Sequence, residues 1–138
     1  ESPNLSTLAE LNGQLLGFMP IADTNNSTAS DPYLRTEIFS FGRTEDLQND
    51  GYALQTPSVI GSINGLAFNC TDGIADKNEG MLILDSHVYF KGSYGAYRTN
   101  GTTVEQIFSS PYRNSWYPDN YVVTDGTEIY FTFQKKIL

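Results

Sequence analysis

The densest group of aromatic and hydrogen-bonding side chains lies in the stretch SSPYRNSWYPDNY, residues 109–121. Pro111 and Pro118 cannot donate to a sheet ladder, so the stretch is predicted to be a structured loop between two strands. Its aromatic rings offer flat faces with polar tips, its arginine a planar fork, and its amides and carboxylate partners for hydroxyl groups. The candidate ligand-binding residues of this loop are Tyr112, Arg113, Asn114, Trp116, Tyr117, Asp119 and Asn120.

This combination of a stacking face, a fork and amides favours a carbohydrate ligand, particularly an acidic one such as a sialylated glycan. A second interpretation stays open, in which Trp116 and one tyrosine fold inward and close the end of a barrel. The preceding stretch GSYGAYRTNGT adds Tyr94, Tyr97 and Arg98, which complete either a pocket or a core layer. Tyr97 and Arg98 are therefore added to the candidate ligand-binding residues.

Residues suited to catalysis are few. His87 is the only histidine, in the strand-like stretch LDSHVYFK, and Cys70 is the only cysteine. No serine has a nucleophile-elbow pattern, and there is no phosphate loop, dinucleotide fingerprint or zinc-ligand spacing. We therefore predict that the chain is not an enzyme, has no catalytic residues and needs no cofactor or metal.

The acidic stretch CTDGIADKNEG offers a possible calcium site, because carboxylate and amide oxygens are the ligands that calcium prefers. Its candidate ligands are Asp72, Asp76, Asn78 and Glu79. The spacing does not follow the EF-hand pattern, and Lys77 lies among the acidic residues. A solvated loop is the interpretation that the sequence favours.

Charge limits the partners. Sixteen acidic residues against eight basic ones leave a formal net charge of −8. A negative field repels phosphate backbones and anionic lipid headgroups. No apolar run reaches the length of a membrane span. Nucleic acid and direct membrane insertion are therefore not expected.

Six Asx-Gly pairs indicate tight turns, and most are flanked by β-rich runs. In YLRTEIFSFG, alternate residues from Leu34 to Ser40 share one face, and YVVTDGTEIYFTF reads as a hairpin. Only Arg43–Asp50 could hold a turn or two of helix, with Thr44 as its cap. The predicted fold is all-β, an antiparallel sandwich or partly closed barrel of about nine or ten short strands. Residues 1–7 are interpreted as a linker remnant and 8–138 as one β domain.

The region from Met81 to Phe133 resembles the ELWxxDGT repeat family, through the stretches VYFKGSYGAYRTNGTTVEQI and TDGTEIYFTF. Gly95, Ala96 and Tyr97 stand where that family has its Glu-Leu-Trp core. The blades of β-propellers show a similar rhythm. This resemblance implies a propeller-type or adhesive repeat segment with a structural role.

The whole chain also resembles the receptor-binding head of a non-enveloped virus or phage fibre. It is acidic, cannot form an internal disulfide, is rich in Asn, Thr, Gly and Tyr, and closes on the strand-like stretch TEIYFTFQKKIL. The resemblance implies a homotrimer on a virion surface or outside the cell, which binds a glycan or protein receptor of a host cell. We therefore predict a lectin-like recognition domain for cell attachment, with the repeat segment as the alternative.

Overall fold

The computed structural model of the chain describes residues 7–22, 33–46, 51–54, 56–67, 81–110 and 122–131. Every regular element in these ranges is a β-strand, and the pairs are antiparallel, so the predicted all-β fold is confirmed. The strands are β1 Thr7–Leu11, β2 Gln14–Ala22, β3 Tyr33–Phe41, β4 Arg43–Asp46, β5 Gly51–Leu54, β6 Ser58–Asn64, β7 Met81–Leu84, β8 His87–Gly92, β9 Gly95–Thr99, β10 Val104–Ser109, β11 Val122–Thr124 and β12 Ile129–Phe131.

Two four-stranded sheets form the body of the fold. The first has the strand order β1-β2-β3-β6 and the second the order β10-β9-β8-β7. Asn12 and Gly13, with φ of 53° and 81°, make the turn between β1 and β2. Asp85 and Ser86, with φ of 51° and 59°, make the turn between β7 and β8. Positive φ at both central residues matches the right-handed twist of the strands, which is why both turns form hairpins.

The two sheets face each other across one core, which makes the fold a β-sandwich. Phe18 of the first sheet meets Phe90 of the second edge to face, with ring centroids 5.2 Å apart. Phe90 stacks in turn on Tyr97 of the neighbouring strand, at 5.5 Å. The predicted alternation of β3 is also seen, because Thr36 and Ile38 are fully buried.

Twelve strands are described, where nine or ten were expected. One reason is the segment from Arg43, which was predicted to be helical. That prediction is wrong, because β4 pairs with β5 as an antiparallel hairpin. One or two isolated helical turns are marginal in water, whereas strand pairing gives the same backbone groups a partner. Strand β1 begins at Thr7, the last residue of the predicted linker remnant, and residues 1–6 lie outside the described ranges.

The chain passes from the first sheet to the second through residues 64–67. Asn64-Gly65 was expected to close a hairpin, but Gly65, at φ 73°, redirects the chain across the sandwich. The Thr36 hydroxyl donates to the Gly65 carbonyl at 2.8 Å and accepts from the Ala67 amide at 3.0 Å. The Leu66 amide donates to the Ser93 hydroxyl at 3.2 Å. Burial of Leu66 and Ala67 in the common core outweighs the local turn preference.

Two turns of the chain share one hydrogen-bond pattern, TNGTT at residues 99–103 and TDGTE at residues 124–128. In each, the first threonine donates to the carbonyl four residues later, at 2.7 and 2.6 Å. It also accepts from the glycine amide, at 3.0 and 2.9 Å. The Asx side chain accepts from the two backbone amides that follow the glycine. These are four-residue loops between strands, longer than the predicted two-residue turns.

A further hairpin, β11–β12, lies against the second sheet. Strand β11 contacts β7 and β8, and Val122 is fully buried without belonging to the main core. On the second sheet, Leu82 pairs with Tyr89 and Ala96 pairs with Lys91, so both lie on the face that points away from that core. Both are nevertheless buried. Since Phe90 and Tyr97 face the first sheet, the hairpin begins a third layer on the opposite side of the second sheet.

Candidate functional site

The predicted binding loop is described only at its beginning. Its seven candidate residues, between positions 112 and 120, lie outside the described residues. Before them, the Ser110 amide donates to the Tyr94 carbonyl at 2.9 Å. The loop therefore starts beside the turn between β8 and β9, the turn that carries Tyr94.

Arg98 lies on the face of the second sheet that points away from the common core. Its Nε donates to Glu105 Oε1 at 2.9 Å, and its Nη1 donates to the Tyr89 hydroxyl at 3.4 Å. The bond to Glu105, then the bond to Tyr89, raise the pKa of Arg98 above its usual value. The side chain is 35% exposed, so part of the guanidinium still faces solvent. Arg98 is thus a positioned cation whose fork is already shared with a carboxylate.

Tyr97 does not share a site with Arg98. The two are neighbours in β9 and therefore point to opposite faces of the sheet. Tyr97 is only 5% exposed and stacks on Phe90 in the core. Burial, and secondarily the nearby Tyr94, raise the pKa of the Tyr97 phenol. Of the two roles that the sequence left open, a pocket or a core layer, the Tyr97 ring lies in the core layer. Arg98 lies on the other face of the sheet, because side chains alternate along a strand.

His87 is positioned at the start of β8. Its Nδ1–H can donate to the Asp85 carbonyl at 2.8 Å, and its ring lies 5.9 Å from that of Tyr89. Among the described residues, no three His, Cys, Asp or Glu side chains gather as a metal site. The candidate calcium loop, residues 72–79, is outside the described ranges.

An apolar strip that the sequence reading missed crosses the outward face of the first sheet. Strand pairing aligns Leu8, Gly17, Phe39 and Val59 in one row. Leu8 is 64% exposed and Val59 is 55% exposed. Gly17 leaves room for the ring of Phe41, which lies over it. The signal was present in the odd-numbered positions of β2 and β3, but it becomes a strip only when the register brings the strands together.

Comparison with protein-family models, with curated proteins and with solved structures gave no match for this chain. In the parts of the chain that the structure describes, no helix is long and apolar enough to cross a membrane.

Proposed function

We propose that this chain is a non-enzymatic β segment of repeat type, whose role is to build a layered scaffold. The observation that carries the proposal is the third layer, since the β11–β12 hairpin lies against the second sheet and covers part of its outward face, while Arg98 and Glu105 on that face stay partly exposed. Stacked repeats bury a continuous core in this way, because one unit cannot bury both of its faces alone. The shared turn at residues 99–103 and 124–128 supports the same view, since it recurs between strands of two successive layers.

The outward face of the first sheet agrees with a layered stack. Its apolar strip is exposed at Leu8 and Val59, and Met19 is exposed on the same face. Contiguous exposed apolar surface is uncommon on monomeric proteins and marks a surface that another element covers. In a stack, the neighbouring layer covers this strip in the same way that the β11–β12 hairpin covers the second sheet.

Solution mass tests the scaffold. We expect the isolated chain to associate without a fixed stoichiometry, because the exposed strip can pack against any apolar surface of another copy. The double variant Leu8→Lys, Val59→Lys should suppress this association while leaving the melting temperature nearly unchanged, since both side chains are largely exposed. Sedimentation equilibrium over a range of concentrations measures it. The matched control is Ile107→Lys, which adds a charge at another exposed apolar residue, 41% exposed on β10, and should leave association unchanged.

A discrete trimer in that experiment would contradict the scaffold and favour a second function. In it the chain is a recognition head, a homotrimer on a virion or cell exterior that binds a glycan or protein receptor. One observation favours this function. Ser110, where the predicted loop begins, is bonded to Tyr94 on an edge where Ile107 and Phe108 are also exposed. Exposed aromatic and apolar groups beside a loop are typical of recognition surfaces.

Trp116→Ala tests the recognition function. If the loop binds a receptor, the substitution should weaken binding by about 2 kcal/mol or more, as for an aromatic hot spot. The melting temperature should hardly change, because an exposed ring contributes little to the core. A glycan array identifies the ligand, and titration of wild type and variant measures the affinity. A loss of stability of about 3–5 kcal/mol, with unchanged affinity in the folded fraction, would show that Trp116 is a core residue instead.

A further inference from the structure

A cleft of about 260 Å³ opens between the free edges of the two sheets, where β6 faces β10. At one end the strands touch, because a Cβ on Gly61 would lie 2.7 Å from Val104 Cγ2. At the other end the chain crosses between the sheets, and a Cβ on Gly65 would lie 2.8 Å from Ser93 Cβ. The cleft is lined by Ser62, Ile63, Asn64, Tyr97, Val104 and Gln106.

The polar groups of the lining are neutral. They comprise the phenol of Tyr97, the amides of Asn64 and Gln106, and the hydroxyl of Ser62. The phenol, the hydroxyl and the Asn64 amide can donate and accept hydrogen bonds. The Gln106 Nε2 already donates to the carbonyls of Tyr94 and Phe108, both at 3.3 Å, so Gln106 offers its amide oxygen as an acceptor. The side chains of Ile63 and Val104 add apolar surface. No lining residue carries a charge. A charged ligand would lose its hydration in this cleft and find no opposite charge there, and such a transfer is costly.

Tyr97 provides the sharpest feature of the cleft. Tyr97 is only 5% exposed, and its hydroxyl makes no hydrogen bond with another described residue. No buried side-chain nitrogen or oxygen in the described part of the chain lacks a partner. The hydroxyl must therefore reach open space, and the cleft is the open space that Tyr97 lines. The ring is held by stacking on Phe90 at 5.5 Å, so the hydroxyl is presented by a rigid support.

We propose that this cleft binds a small, uncharged, hydroxyl-rich molecule of the size of one sugar ring. Its volume is below the 300–1,000 Å³ or so of pockets for drug-sized ligands. A sugar ring offers hydroxyl groups to the phenol and amides and carbon–hydrogen faces to the apolar walls. The proposed site is independent of the layered scaffold. Its chemistry also differs from the acidic glycan that the loop residues favoured.

The test is a two-dimensional NMR titration of the whole chain with methyl glycosides of glucose, galactose and mannose. At least one should shift the side-chain amide signals of Asn64 and Gln106. Tyr97→Phe should weaken that binding roughly fivefold, the effect of one lost hydrogen bond, without changing the melting temperature. Asn64→Ala should weaken the binding of the glycoside similarly. Asn64 is exposed at the rim of the cleft, so this substitution should not destabilise the core. Tyr89→Phe is the matched control, because it removes a phenol hydroxyl on the opposite face of the sheet and should change nothing.

Three results would overturn the proposal. One is no shift at the cleft with any of the three glycosides at about 100 mM, well above the millimolar affinities of weak binding. Another is an equal loss of binding in Tyr97→Phe and in Tyr89→Phe. The third is tighter binding of N-acetylneuraminic acid than of the neutral glycosides at these same amides. None of these outcomes bears on the association state, so the scaffold proposal is tested separately.

Discussion

Phe90→Ala is expected to lower the free energy of unfolding by about 3–5 kcal/mol, the range for truncating a buried phenylalanine. The reason is the position of this ring between the two sheets. Phe90 is fully buried, meets Phe18 edge to face at 5.2 Å and stacks on Tyr97 at 5.5 Å. Its removal leaves a cavity where the sheets join and takes away both aromatic contacts. Urea denaturation followed by circular dichroism measures the loss.

The matched control is Phe108→Ala on β10. Phe108 is 47% exposed, so the same chemical truncation should cost less than about 1 kcal/mol. Similar losses for the two variants would contradict the packing of the sheets around Phe90. They would mean that the two sheets unfold separately, with no shared core for Phe90 to hold.

Thr36→Val is expected to destabilise the fold by about 2–4 kcal/mol, although valine has nearly the same shape. The Thr36 hydroxyl is the partner of the Gly65 carbonyl and of the Ala67 amide, and Thr36 is fully buried. Valine leaves both backbone groups without a partner, and an unpaired buried group costs roughly 1–3 kcal/mol. Thermal and urea denaturation measure the loss, and amide hydrogen exchange should report faster opening at Ala67.

Thr36→Ser separates the hydroxyl from the packing of the side chain. Serine keeps both hydrogen bonds and loses one methyl group, so its cost should be about 1 kcal/mol. If serine destabilised the fold as much as valine, the crossing segment would depend on the methyl group. The hydrogen bonds of Thr36 would then not hold residues 64–67 between the sheets.

Local pattern was sufficient for the class of fold and for several hairpins. Alternation along β3 predicted that Thr36 and Ile38 share one face, which the structure shows to be the buried one, and Asn12-Gly13 predicted the first turn. Both signals depend on residues close in the chain, where the period of a strand and the φ preference of glycine act directly. Local pattern gave the wrong prediction for the segment that begins at Arg43. Its weak helical signal is outweighed by the pairing of β4 with β5.

Binding residues were harder to predict, because a strand sends its neighbours to opposite faces. Tyr97 and Arg98 were predicted to share a site, and only the pairing of β9 shows one in the core and the other facing outward. The apolar strip has the same origin. Leu8 and Val59 are 51 positions apart by number, and they share a row only because β2 and β3 lie between them in register.

The sequence by itself determined the β class, the tight turn at Asn12-Gly13 and the negative charge that excludes nucleic acid from the expected partners. These follow from composition and from contacts within a few residues. Tertiary structure decided that Asn64-Gly65 crosses between sheets, that a hairpin covers part of the outward face of the second sheet, and that a neutral cleft opens where β6 faces β10. Each of these depends on burial and hydrogen bonds between residues far apart in the chain, such as Thr36 with Ala67, and no local pattern contains them.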